Sequence, residues 1–199
     1  MTPPRVSAIV LAAGASRRMG TPKPLLPLHG ATLLAYQLGQ LASIEAIGEI
    51  IVVTGHRAED VEAVVRGHAK ARAVRNGDYA RGKATSVRCG AAAVAADATA
   101  IMLCAADQPR PAPVLRRLVG EHAASGGPIT VPAHGGRRGH PLLFARALLP
   151  ELLAVDDATL GVRAILDRHA GDVREVPFDD PVVLVDINTP EDATAYAGP

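Results

Sequence analysis

A chain of 199 residues, 48% of them hydrophobic, is long enough to bury one substantial core. A formal net charge of +1 and only 3% aromatic residues argue against a nucleic-acid partner, which calls for a basic excess and stacking rings. Two cysteines, Cys89 and Cys104, make no disulfide framework, and no apolar run nears the ~20 residues of a membrane helix. The N-terminal apolar run is short and is followed by Arg17 and Arg18, a poor match to a secretory signal. A cytoplasmic protein with no membrane partner is expected.

In chain order, "SAIVLAA" (Ser7 to Ala13) reads as a buried strand and Thr32 to Leu41 as a helix. "EIIVVTG" (Glu49 to Gly55) is a β-branched strand ending at glycine, followed by a helix over Glu59 to His68 with Val61, Val64 and Val65 on one face. "RAVRN" is a short strand, Ser86 to Ala96 an alanine-rich helix, and "AIMLCAAD" (Ala100 to Asp107) another buried strand. Val114 to Ala124 is a helix behind three prolines. "PITVPA", "LLF", "VREVPF" and "VVLVDI" read as strands, with helices over Arg146 to Leu153 and Val162 to His169. "TPEDATAYA" closes the chain as a helix with a threonine cap, a first-turn proline and an acidic first turn. Strand–helix alternation over the first two-thirds predicts a parallel α/β sheet with right-handed crossovers. No repeat or long linker interrupts it, so residues 1–199 are expected to form one domain.

In such a sheet, ligands bind beyond the carboxyl ends of the strands. The first strand ends in "LAAGASRRMG", whose Gly14 and Gly20 let backbone N–H groups approach a phosphate, with Arg17, Arg18 and Lys23 as cations. Neither GxGxxG nor the Walker spacing is present. Asp107, closing "LCAADQP", suits Mg²⁺, which takes one or two carboxylates plus phosphate oxygens; it equally suits a helix cap. Asp186, in "VLVDINTPED", repeats the pattern, and two such carboxylates can share or divide a metal site. Glu191 and Asp192 fit a helix first turn better. Ser86 lies where a helix N-terminus could face a nucleotide. His140, before Pro141, suits a general base or a positioning group, and His56 a phosphate contact or a hydrogen-bonded loop residue. Asp156 and Asp157 read as a solvated loop ahead of a helix.

The segment "LAAGASRRMGTPKPLLPLHG" resembles the opening of the MobA-like nucleotidyltransferases, most closely the molybdenum-cofactor cytidylyltransferase branch. "TGHRAEDV", "ADQP", "RRGHPLLF" and "VDINTPED" follow in that family's order, so the resemblance spans the chain. It implies a Rossmann-like α/β fold, a mostly parallel central sheet flanked by helices, and Mg²⁺-dependent transfer of a nucleoside monophosphate to an acceptor phosphate with release of pyrophosphate. It places Leu11, Ala12, Ala13 and Gly14 on the nucleotide loop, Arg18 and Lys23 on the triphosphate, Asp107 and Asp186 on the metal, and Gly139, His140 and Pro141 on the acceptor side. The Ala-Ala-Gly form of the loop resembles CTP-using members, with Ala13 at the discriminating position. CTP or another nucleoside triphosphate and a phosphorylated small molecule such as molybdopterin are the implied partners, with a molybdenum-hydroxylase apo-enzyme as a further one. "GKATSVRCG" keeps Gly82, Ser86 and Gly90 but departs from the family at Lys83, Ala84 and Thr85, and "DDATLGVRAIL" matches only in part. Two other readings stand beside this one: a nicotinamide-dependent oxidoreductase on the same fold, and a non-catalytic accessory protein for a molybdenum hydroxylase.

Overall fold

The structure, a computed structural model, describes residues 5–15 and 22–197. Strand β1 (Val6–Leu11) pairs in parallel with β4 (Ile47–Thr54) on one side and β6 (Ala100–Ala105) on the other. A strand paired at both edges and covered on both faces reads as a continuous apolar run. Its one polar side chain, Ser7, is buried and donates to the Glu49 carboxylate at 2.6 Å.

Beyond β4 lies β5 (Ala71–Arg75), parallel to it. On the other flank, β9 (Leu142–Ala145) runs antiparallel between β6 and β7 (Ile129–His134), and β10 (Val173–Pro177) pairs in parallel with β7. The order is β10-β7-β9-β6-β1-β4-β5, with β8 (Arg137–Arg138) paired to β7. The short strands β2 (Pro27–Leu28) and β3 (Ala31–Thr32) form a separate hairpin. The chain leaves β1 for β4 and β5, then returns to β6 on the opposite side. The carboxyl ends of β1 and β6 therefore bound a topological switch point.

Among the described residues, seven helices flank the sheet: α1 (Leu33–Ala42), α2 (Ala58–Val65), α3 (Lys83–Ala92), α4 (Ala112–Ser125), α5 (Leu149–Leu153), α6 (Val162–Arg168) and α7 (Pro190–Ala197). Alternation along β1 sends Val6, Ala8 and Val10 into a core shared with Leu34 of α1, Val61 of α2 and Leu118 of α4. Ile9 points to the opposite face, where Val87, Leu152 and Ile165 of α3, α5 and α6 meet it. A third cluster packs Leu26 and Leu28 against Ile187 and Ala193, fastening the segment after Lys23 to the one after Asp186. Among the described residues, no helix is long and apolar enough to cross a membrane.

Two expected elements differ. "VVLVDI" is not a strand: Pro181–Leu184 forms a 3-10 turn, with the Asp180 side chain accepting from Val182 N. Backbone carbonyls that a sheet ladder would need, those of Val183 and Val185, accept instead from the Arg110 guanidinium, each at 2.9 Å. Asp186 thus sits on an extended loop rather than at a strand end. Helix α3 starts at Lys83, ahead of the expected Ser86, because Asp157 reaches across to accept from Ala84 N at 3.0 Å.

Candidate active site

The β1 loop is fastened at its base to the end of β4. Ala12 N donates to Val53 O at 2.9 Å, and His56 N donates to Ala13 O at 3.1 Å. Ala13 packs so closely on Gly55 that a Cβ there would lie 2.9 Å from Ala13 Cβ and 2.7 Å from Tyr79. Above this base opens a cavity of about 920 Å³, lined by Leu11, Ala13, Gly14, His56, Ser86 and Asp107. Ala12 is not on its wall; its side chain backs the loop from the core. Ser86 is buried, and its hydroxyl accepts from Asn76 Nδ2 at 3.0 Å. Arg18 lies outside the described residues.

At the switch point a polar cluster forms from three distant segments. Lys23 Nζ is 2.8 Å from Asp107 Oδ2 and 2.7 Å from Asn188 Oδ1. Ile187 N donates to Asp107 O at 2.7 Å, which sets the Asp186 loop beside Asp107. The Asp186 carboxylate accepts from Gln108 Nε2 at 2.7 Å. Asp107 is not a helix cap, since α4 is preceded by Pro111 and has no side-chain cap. Asp192, in the first turn of α7 as expected, accepts from Asn188 N and Thr189 N.

Asp107 and Asp186 offer oxygen donors alone, the set a hard divalent cation prefers. The Lys23 ammonium already seated between Asp107 and Asn188 shows that this point attracts positive charge. Among the described residues, no group of three or more His, Cys, Asp and Glu forms a self-sufficient metal cage. The pair therefore fits a cation that completes its shell with phosphate oxygens.

Arg110 stands out as a residue that sequence reasoning missed. It is 2% exposed, faces no carboxylate at bonding distance among the described residues, and donates to the carbonyls of Pro109, His140, Val183 and Val185. Burial pulls its pKa down to about 10, so it stays charged. It staples the Asp186 loop and the His140 segment to the end of β6. The only local hint was an arginine set among the prolines of "QPRPAP".

A second cavity, of about 500 Å³, lies beside the first. Gly139 and His140 line it, whereas Pro141 is buried behind. Gly139 admits no side chain, because a Cβ would stand 2.2 Å from Val183 O. Burial, then Lys83, then Arg110 push the His140 pKa down to about 4, so the imidazole is neutral near pH 7 and a weak base. Asp156 and Asp157 are not merely a solvated loop: Asp156 caps its own 3-10 turn, and Asp157 caps α3. Burial raises the Cys104 thiol to about 12, which rules it out as a nucleophile at neutral pH.

The sequence profile of the MobA-like NTP transferase domain matches residues 8–176. The molybdenum cofactor cytidylyltransferase of Escherichia coli is 29% identical over 187 residues, 94% of this chain and 93% of that protein. The nicotine blue oxidoreductase of Paenarthrobacter nicotinovorans is 30% identical over 198 residues, 94% of each. Among solved structures, Rv0371c from Mycobacterium tuberculosis superposes with a TM-score of 0.80 at 30% identity, covering 98% of this chain and 99% of that one. A manganese complex of the same protein superposes at 0.73 and 30% identity, covering 96% of each.

Proposed function

The chain belongs to the MobA-like NTP transferase domain family and is a nucleotidyltransferase, and on that premise we propose that it moves CMP from CTP to the terminal phosphate of molybdopterin. An acceptor phosphate oxygen bonds to the α-phosphorus of CTP. The bond from that phosphorus to the α,β-bridging oxygen breaks, and pyrophosphate leaves with the electron pair. The observation that carries this reading is the convergence of Lys23, Asp107 and the Asp186 loop at the switch point, beside a cavity large enough for a nucleotide.

In this reading the loop over Leu11, Ala12, Ala13 and Gly14 holds the nucleotide, with Ser86 on the facing helix. Arg18 and Lys23 neutralise the triphosphate, and Gly139, His140 and Pro141 shape the acceptor side. Asp107 and Asp186 would hold a divalent cation, Mg²⁺ or the Mn²⁺ of the mycobacterial relative, and it would supply charge to offset that developing on the leaving pyrophosphate. Such transfer needs positioning and charge neutralisation, not a nucleophilic side chain. His140, neutral and weakly basic, is suited to holding the acceptor. The acceptor phosphate is already ionised near pH 7, so its attack needs no general base. The relation to the E. coli cytidylyltransferase supports CTP and molybdopterin over other pairs.

The test is pyrophosphate release from each nucleoside triphosphate with Mg²⁺ or Mn²⁺ and molybdopterin. Release is expected to be fastest with CTP and to require the acceptor. Equal rates without acceptor, or none with any nucleotide, would count against the proposal. The nicotine blue oxidoreductase relative motivates a second reading, in which the larger cavity holds a nicotinamide dinucleotide. The absence of GxGxxG after β1 weighs against it.

A further inference from the structure

We infer that Lys83 is the specificity-determining contact for the acceptor, gripping its attacking phosphate where the two cavities meet; the inference rests on the transferase reading above. Among the described residues, three line both cavities: Leu11, Ala105 and Lys83. Only Lys83 is charged. Its side chain is exposed. Among the described residues no carboxylate pairs with it, and Asp157, on the same cavity wall, is engaged by Ala84 N.

Lys23, the cation described beside Asp107, is already shared between Asp107 and Asn188. Bringing an acceptor phosphate up to a triphosphate sets like charges together, and a cation at the seam offsets that repulsion. The smaller cavity is apolar on several sides, through Leu103, Leu142 and Val162, and its cations Arg138 and Arg163 face Glu175 and Asp167. It therefore favours a phosphomonoester with an apolar or ring-like body whose anionic end points at Lys83. Lys83 also stands where the sequence departs from the family pattern, as expected of a residue that selects among acceptors.

The test uses the full chain saturated with α,β-methylene CTP, so that the triphosphate site is filled, and follows inorganic phosphate binding by phosphorus NMR. Lys83→Met is expected to weaken phosphate by about tenfold or more, as loss of a charge-assisted hydrogen bond does. Binding of the CTP analogue serves as the check on folding and weakens far less than phosphate binding, since exposed substitutions perturb stability little; equal losses of both overturn the assignment. Lys83→Arg restores phosphate binding. With molybdopterin as acceptor, Lys83→Met raises its KM more than the KM for CTP. Equal phosphate affinity in wild type and Lys83→Met overturns the assignment and leaves the transferase reading standing. Failure of the wild type to bind the analogue at all overturns both.

Discussion

The two cavities that meet at Lys83 are built by different means. The larger takes its walls from the ends of β1, β4 and β6 and the start of α3, so its shape follows from the sheet. The smaller shares the floor of β1 and β6 but is closed by residues 138–140 and 157–167, which lie outside the central strands and are held by long-range bonds: Asp157 to Ala84 and Arg110 to four carbonyls. On the proposed reading, charge neutralisation falls where the sheet fixes the wall, and acceptor selection falls where single long-range bonds do.

The sharpest way to break this contrast is at the rigid side. Asp107→Ala is expected to slow pyrophosphate release by about a thousandfold, the scale of removing one group that stabilises developing charge. An unchanged rate in that assay would remove Asp107 from the site. On the acceptor side, His140 has a folded pKa of about 4 against an ordinary 6.5. The unfolded chain takes up its proton first, so the native state loses stability as pH falls from about 6.5 to about 4 and this contribution is flat below. His140→Asn should remove up to about 3 kcal/mol of that acid loss, read as a shallower pH dependence of urea midpoints.

Gly139→Ala drives a methyl into Val183 O and must displace the loop bearing Asp186. A loss of about 2 kcal/mol in urea unfolding is expected, with turnover falling as well. The smallest effect belongs to Asp157→Ala, which removes the distant cap of α3. About 1 kcal/mol of stability should be lost, and the KM for molybdopterin should rise more than that for CTP. If both KM values rose equally, the two cavities would not be separately built.

How much of this was legible follows from where each cause lies in the chain. Lys23, Gly14 and Asp107 could be read because apolar runs mark the strands, and a parallel sheet sends its ligands to their carboxyl ends. The run "VVLV" misleads, because its local pattern is that of a strand. Arg110, 73 residues before Val183, claims the carbonyls that would have made it one. The start of α3 was hidden in the same way, set by Asp157 73 residues on from Ala84. Asn188 stood in a quoted motif but has no titratable group to draw notice, and only the fold brings it to Lys23.

The central claim, a nucleoside triphosphate in the larger cavity, is tested most directly by thermal shift. CTP, GTP, ATP, UTP, NADH and NADPH would each be added with Mg²⁺, since a ligand of the folded state raises the midpoint by mass action. CTP is expected to raise it most, and Asp107→Ala to reduce that rise. A rise with NADH or NADPH and none with any triphosphate would contradict the account.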